Sequence, residues 1–169
     1  YFKTKSKINY KLFKKKIDKT KLKDLSSKKL LDSKIGMLAS KLAKDPKIRK
    51  FVSDYQIKIA NNPPKRYKGV CFDGRDITYK IMPNADVKFF LTASTKIRAK
   101  RRFVELKKLK HKISFNEVIK NIKERDKSDL TRRTSPLKIV DDAIYIDNSN
   151  MTIKRCFKLM VKEINKKII

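Results

Sequence analysis

The sequence predicts an α/β protein with parallel strands. Three short apolar runs, Val70–Phe72, Val87–Leu91 and Ala143–Ile146, read as strands. Around them lie stretches with apolar residues at helical spacing or with helix-capping signals. Strands that alternate with helices argue for a sheet of parallel strands.

Taken in order, residues 1–30 hold twelve lysines against Asp18 and Asp24, with scattered Phe, Leu and Ile. They read as a weakly ordered helical segment or a variable subdomain. From Ser33 to Lys44 the residues Ile35, Leu38, Ala39 and Leu42 recur at helical spacing. Pro46 suits the first turn of a helix over about Pro46–Ala60, and Asn61-Asn62-Pro63-Pro64 then breaks the chain. Ser94 is placed to cap a helix from about Thr95 to Leu109. Ser114-Phe115-Asn116-Glu117 matches the capping box and opens a helix to about Leu130. After the strand at Ala143–Ile146, Thr152 to about Lys166 reads as the closing helix.

At 169 residues and 40% hydrophobic, the chain can bury one ordinary core, so a single compact domain is the starting expectation. The formal net charge of +30 points to a polyanion partner such as nucleic acid. Lysine is nonetheless spread along the whole length, with no Gly/Arg-rich or alternating basic-aromatic tract. That distribution suits codon drift in an AT-rich genome, so no specific nucleic-acid partner is expected. Cys71 and Cys156 sit far apart in apolar contexts and are expected as buried free thiols in a reducing cytosol. His111 is the single histidine and there is no Cys-x-x-Cys, so no metal site is expected; His111 reads as a solvated turn residue. With no apolar stretch long enough to span a bilayer and no signal peptide visible, a cytoplasmic protein without a membrane partner is expected.

Asp73-Gly74-Arg75-Asp76 follows the first predicted strand, and ligands bind at the carboxyl ends of strands in open α/β sheets. Gly74 allows a sharp turn and a close backbone approach. Arg75 can pair bidentately with a phosphate or carboxylate, and Asp76 can accept from an amino group. Arg98, Arg101 and Arg102 fall at i, i+3 and i+4, one helical face, with Glu105 the nearby acid in that helix. Three such guanidiniums repel unless an anion or carboxylates relieve them, which makes a polyphosphate-facing surface credible beside a plain solvated basic face. Arg125, Asp129 and Arg132 at i, i+4 and i+7 form a second stripe, which periodicity alone reads as an Arg–Asp ladder.

In order along the chain, these motifs resemble bacterial cytidylate kinase, a nucleoside monophosphate kinase family of the P-loop fold. The motifs are Ala39-Ser40-Lys41-Leu42-Ala43 with Pro46-Lys47-Ile48-Arg49, Asp73-Gly74-Arg75-Asp76-Ile77, and Pro83 through Ser94. Arg98-Ala99-Lys100-Arg101-Arg102, Ile122-Lys123-Glu124-Arg125-Asp126 and Asp141 through Asp147 complete the set. The resemblance covers about Ser33 to Lys166 and implies a P-loop NTPase-like parallel sheet flanked by helices, incomplete at the N-terminus. It implies transfer of the γ-phosphate of ATP, with Mg²⁺, to CMP or dCMP by a monomer. Arg49 and Asp76 would contact cytosine, Asp76 accepting from the amino group that uracil lacks. Arg75 and Arg132 would hold the acceptor and its phosphate, while Ser40, Arg125 and Asp129 would recognise the sugar hydroxyls. Arg98, Arg101 and Arg102 would act on the transferring phosphoryl group from a lid over about residues 95–135. Residues 1–32 would be a variable part of the acceptor subdomain and 33–169 the kinase core.

Departures from the family pattern bear on activity. The family's Gly-x-x-x-x-Gly-Lys-Ser/Thr loop does not occur, and the chain's three glycines are Gly36, Gly69 and Gly74. The Ser/Thr-Gly-x-x-Tyr-Arg segment that completes the acceptor site is also absent, with Tyr1-Phe2 read as lying just beyond it. Thr78-Tyr79 stands where the family usually has Gly-Thr, and Ser128 where an arginine is common. The start at Tyr1 instead of Met leads us to expect loss of an upstream segment, as in an incomplete gene, and no activity of this chain by itself. Two alternatives stand beside this reading: a basic nucleic-acid-binding module without catalysis, and a kinase for UMP or AMP.

Overall fold

The computed structural model describes residues 3–4, 7–27, 30, 33–63, 65, 67 and 69–168. Within its helices and strands, the side chains of residues 3, 4, 7, 22, 33, 34, 36, 37 and 40 are left out of the description. The chain divides into two compact units, Tyr1–Phe72 and Asp73–Ile169.

The first unit opens with a short antiparallel pair, β1 (Lys3–Thr4) and β2 (Lys7–Ile8). Helix α1 (Tyr10–Asp18) follows, its N-terminus capped by Asn9, whose side chain accepts from the Leu12 amide at 2.9 Å. A 3-10 turn (Leu22–Ser26), α2 (Ser33–Leu42) and α3 (Pro46–Asn61) complete it. Asp45 caps α3 by accepting from the amides of Lys47 and Ile48, with Pro46 at the first turn as its fixed φ favours. The other oxygen of Asp45 accepts from the Tyr10 hydroxyl at 2.6 Å, which ties α1 to the start of α3. That bond holds the Asp45 carboxyl below the usual carboxylate range and raises the Tyr10 phenol. Tyr55 makes a second tie, donating to the Thr20 carbonyl at 2.9 Å, while Ile48, Ser53 and Ala60 of α3 are buried.

The second unit holds a parallel pair, β3 (Phe89–Thr92) and β4 (Ile144–Asp147), in the register Phe89 to Ile144 and Thr92 to Asp147. Bonds from the Ile144 amide to Lys88 and from the Asn148 amide to Thr92 extend the ladder at both ends. The rings of Phe90 and Tyr145 stack across it, with centroids 5.8 Å apart. Helices α4 (Thr95–Lys108) and α5 (Phe115–Thr131) lie between these strands in sequence. Ser94 caps α4, and Ser114 with Glu117 forms the reciprocal capping box on α5. The two helices run antiparallel about Ala99, Leu106 and Val118, with Phe103 edge-on to Phe115. Helix α6 (Ile153–Ile168) closes the unit, capped by the Thr152 hydroxyl, which accepts from the Arg155 amide.

The α/β class holds, with a correction. Val70–Phe72 is irregular, not a strand, so Asp73-Gly74-Arg75-Asp76 leads from a loop into a single π-helical turn, Ile77–Ile81. Three apolar residues have no ladder partner there among the described residues, and Val70 and Cys71 are exposed. Cys71 is therefore an exposed free thiol, not a buried one; Cys156 is free and half-buried. His111 lies exposed in the turn after α4, as expected.

Candidate functional site

Asp129 organises a cluster of arginines in the second unit. It lies in the last turn of α5 with its side chain 13% exposed. One carboxylate oxygen accepts from Arg75 Nε at 3.0 Å and the other from Arg132 Nη1 at 3.1 Å. Arg125, one helical turn earlier, stands 3.9 Å away. The helical stripe read from the sequence is real, and Arg75 joins it from a position 54 residues earlier. Three guanidiniums around one carboxylate leave two positive charges uncompensated within the cluster. Such a surplus, partly shielded from water, suits a dianionic phosphate.

Asp76 is the residue just before the π turn, and its carbonyl accepts from the Lys80 amide at 3.0 Å. Gly74 is required by packing, since an added Cβ would sit 2.8 Å from Cγ1 of the buried Ile77. Beyond α5, the chain folds back on itself: the Leu137 amide donates to the Asp129 carbonyl at 2.7 Å and Arg132 Nε to the Ser135 carbonyl at 2.5 Å. Arg49 belongs to the first unit, where its Nε donates to the Ala43 carbonyl at 3.1 Å. The Ser40 backbone lies in α2, and its side chain is outside the described residues.

The α4 arginines have three different environments. Arg98 forms a bidentate pair with Asp126 of α5, both contacts 2.8 Å, and donates from Nε to the Ala93 carbonyl at 2.8 Å. That pairing holds its pKa above the ordinary value. Arg101 reaches the Asn148 side-chain oxygen at 2.6 Å and the Asn148 carbonyl at 2.7 Å, just past β4. Arg102 pairs with Glu105 at 2.7 Å. Sequence reasoning did not anticipate Lys88, a buried lysine bonded to Asp142 at 2.6 Å, nor the Arg98–Asp126 pair. Lys88 and Asp142 precede two different strands and Arg98 and Asp126 lie on two different helices, so no local spacing announces either pair.

Among the described residues, no group of three or more His, Cys, Asp or Glu side chains is placed to hold a metal ion. No helix among them is long and apolar enough to cross a membrane.

Residues 2–166 match the family model described as cytidylate kinase. The cytidylate kinase of Fusobacterium nucleatum subsp. nucleatum is 41% identical over 150 residues, which is 88% of this chain and 66% of that protein. The cytidylate kinase of Mycoplasmopsis agalactiae is 41% identical over 129 residues, 76% of this chain and 57% of that protein. That of Caldicellulosiruptor saccharolyticus is 37% identical over 136 residues, 80% and 58% of the respective lengths. The chain thus spans less than two thirds of the length of these relatives.

Proposed function

Since the chain belongs to the cytidylate kinase family, we propose that it forms the acceptor-nucleotide part of an ATP-dependent kinase. The reaction transfers the γ-phosphate of ATP to CMP or dCMP and gives ADP and CDP or dCDP. The observation that supports this reading best is the convergence of Arg75, Arg125 and Arg132 on Asp129. The surplus charge of the cluster matches a nucleoside monophosphate dianion. Phosphoryl transfer depends on positioning and charge neutralisation more than on covalent help from the protein, and arginines meet both needs.

In this reading Arg75 and Arg132 grip the acceptor phosphate, and Asp129 orients them while it and Arg125 meet the sugar. Asp76 reads the cytosine edge by accepting from the exocyclic amino group. Residues from about 95 to 135 act as a lid that excludes water, from which Arg101 and Arg102 reach the transferring phosphoryl group, with Arg98 bracing their helix. Mg²⁺ would neutralise the donor phosphates, and among the described residues no group of three or more His, Cys, Asp or Glu side chains is placed to hold it. The chain is assigned to the cytoplasm as a monomer.

The experiment is a thermal melt of the 169-residue chain with CMP, dCMP, UMP and no nucleotide. Binding to the folded form raises the melting temperature, so CMP or dCMP should raise it and UMP should do so less. Asp76→Ala should erase the difference between CMP and UMP. An unchanged melting temperature at millimolar CMP would sink the reading. Without the Gly-rich phosphate loop, the chain alone should show no ATP-dependent CMP phosphorylation in an ADP-release assay, and measurable turnover would overturn that expectation. The +30 charge favours a second reading, a nucleic-acid-binding module, which predicts steeply salt-dependent oligonucleotide binding and no stabilisation by CMP.

A further inference from the structure

Ser135 is a buried, non-glycine residue with φ of 55°, in the left-handed region that L residues seldom adopt. Such a conformation persists where its surroundings over-determine it, and it concentrates at functional sites. Four bonds hold the loop around Ser135. Two come from the acceptor cluster itself: Arg132 Nε to the Ser135 carbonyl, and the Leu137 amide to the Asp129 carbonyl. The other two come from the π turn. Lys80 Nζ donates to Ser135 Oγ at 2.9 Å, and the Tyr79 hydroxyl donates to the Pro136 carbonyl at 2.5 Å. Lys138 sits over the Tyr79 ring, 5.6 Å from its centroid. This turn begins directly after Arg75-Asp76, and single π turns are frequent at functional sites.

We propose that Tyr79 and Lys80 are positioning residues of the acceptor-phosphate site, acting through Ser135 and Pro136. They pin the loop that fixes Arg132 between the Ser135 carbonyl and the Asp129 carboxylate. Arg132 Nε and one Nη1 donor are thereby committed, while among the described residues no partner takes the further donors on Nη1 and Nη2, which could meet the phosphate. The π turn thus links both sides of the cluster: Arg75 precedes it, and its own side chains hold the loop beyond Arg132. Tyr79 belongs to the pair Thr78-Tyr79 that stands where the family usually has Gly-Thr, so the brace lies beside a departure of this chain from the pattern it resembles. The inference rests on the proposed acceptor-site reading.

The test compares CMP with cytidine, which lacks the phosphate, by titration of the 169-residue chain. Lys80→Met removes the donor, and Ser135→Gly removes its acceptor without changing charge, in a residue that adopts φ of 55° without strain. Each variant should lower the CMP-to-cytidine affinity ratio about five-fold, the value of one net hydrogen bond, with cytidine binding retained. Tyr79→Phe should act in the same direction. The double variant Lys80→Met, Ser135→Gly should lose no more than either single one, because both break the same contact. A ratio equal to that of the unchanged chain in both single variants overturns the brace. Equal loss of CMP and cytidine also overturns it, since that marks a general loss of structure. If the unchanged chain binds CMP no better than cytidine, the acceptor-phosphate reading fails first and the brace falls with it.

Discussion

Replacing Asp129 by Ala removes a carboxylate that is 13% exposed and in hydrogen-bond contact with Arg75 at 3.0 Å and Arg132 at 3.1 Å. A hydrogen bond to a charged group contributes about 1.5–3 kcal/mol. Arg75 is 39% exposed, so solvent screening puts its share at the low end. Arg125 is 73% exposed and 3.9 Å away, and adds little. The loss comes to about 2–4 kcal/mol, part of it from three guanidiniums left facing one another. For a unit the size of Asp73–Ile169, 1 kcal/mol moves the melting temperature by about 4–8 °C. Asp129→Ala should therefore lower it by about 8–32 °C at low salt. Asp129→Asn keeps the shape and one acceptor and should lose about half as much. Melts followed by circular dichroism, with and without inorganic phosphate, carry a second readout. An added anion can take the place of the missing carboxylate, so phosphate should rescue Asp129→Ala more than it stabilises the unchanged chain. A drop under about 4 °C, or equal phosphate shifts in both proteins, would refute the claim that this carboxylate balances the arginines.

Two further perturbations test the rest of the second unit. Asp126→Ala breaks the bidentate pair with Arg98, but the two side chains are 38% and 35% exposed, so the cost should be about 1 kcal/mol and a few degrees of melting temperature. An unchanged melt would show that the pair does not tie α4 to α5. The Asp142 carboxyl is held below its ordinary range, first by the hydrogen bond from Lys88. A depressed carboxylate adds stability that is present above its unfolded pKa and is lost as pH falls through the folded value, here below about pH 4. Melts of Asp142→Asn between neutral pH and pH 3 should show a shallower acid-side loss than those of the unchanged chain, and parallel curves would contradict the assignment.

Helix ends were largely legible because capping is local chemistry. Pro46, Ser94 and the Ser114–Glu117 box each mark a helix start that the structure keeps. The Val70–Phe72 strand failed because a strand needs a partner, which three residues in isolation cannot reveal. Helix α1 was blurred among twelve lysines in residues 1–30, and its bond from Tyr10 to Asp45 spans 35 positions. The stripe Arg125, Asp129 and Arg132 follows from helical spacing, whereas the approach of Arg75 depends on the fold. The bonds from Lys80 to Ser135 and from Lys88 to Asp142 span 55 and 54 positions, beyond any local pattern.

The α4 arginines share a spacing but not an electrostatic state, and the difference narrows what each can do. Repulsion along one face needs relief, and relief comes from three sources. Asp126 neutralises Arg98 with two hydrogen bonds, so Arg98 could meet a ligand only by giving up a contact that joins two helices. Glu105 neutralises Arg102 from one turn away, on a surface where such pairs contribute little and exchange readily. Arg101 is held by an amide oxygen and backbone carbonyls, which orient the guanidinium without cancelling its charge. Its partner Asn148 follows β4 and bonds through its own amide to the last residue of β3. Arg101 is thus anchored at the carboxyl end of the parallel pair, where open α/β sheets bind their ligands. An uncancelled charge in that place fits an anion better than either neighbour does, while the pair with Asp126 commits Arg98 to joining α4 and α5.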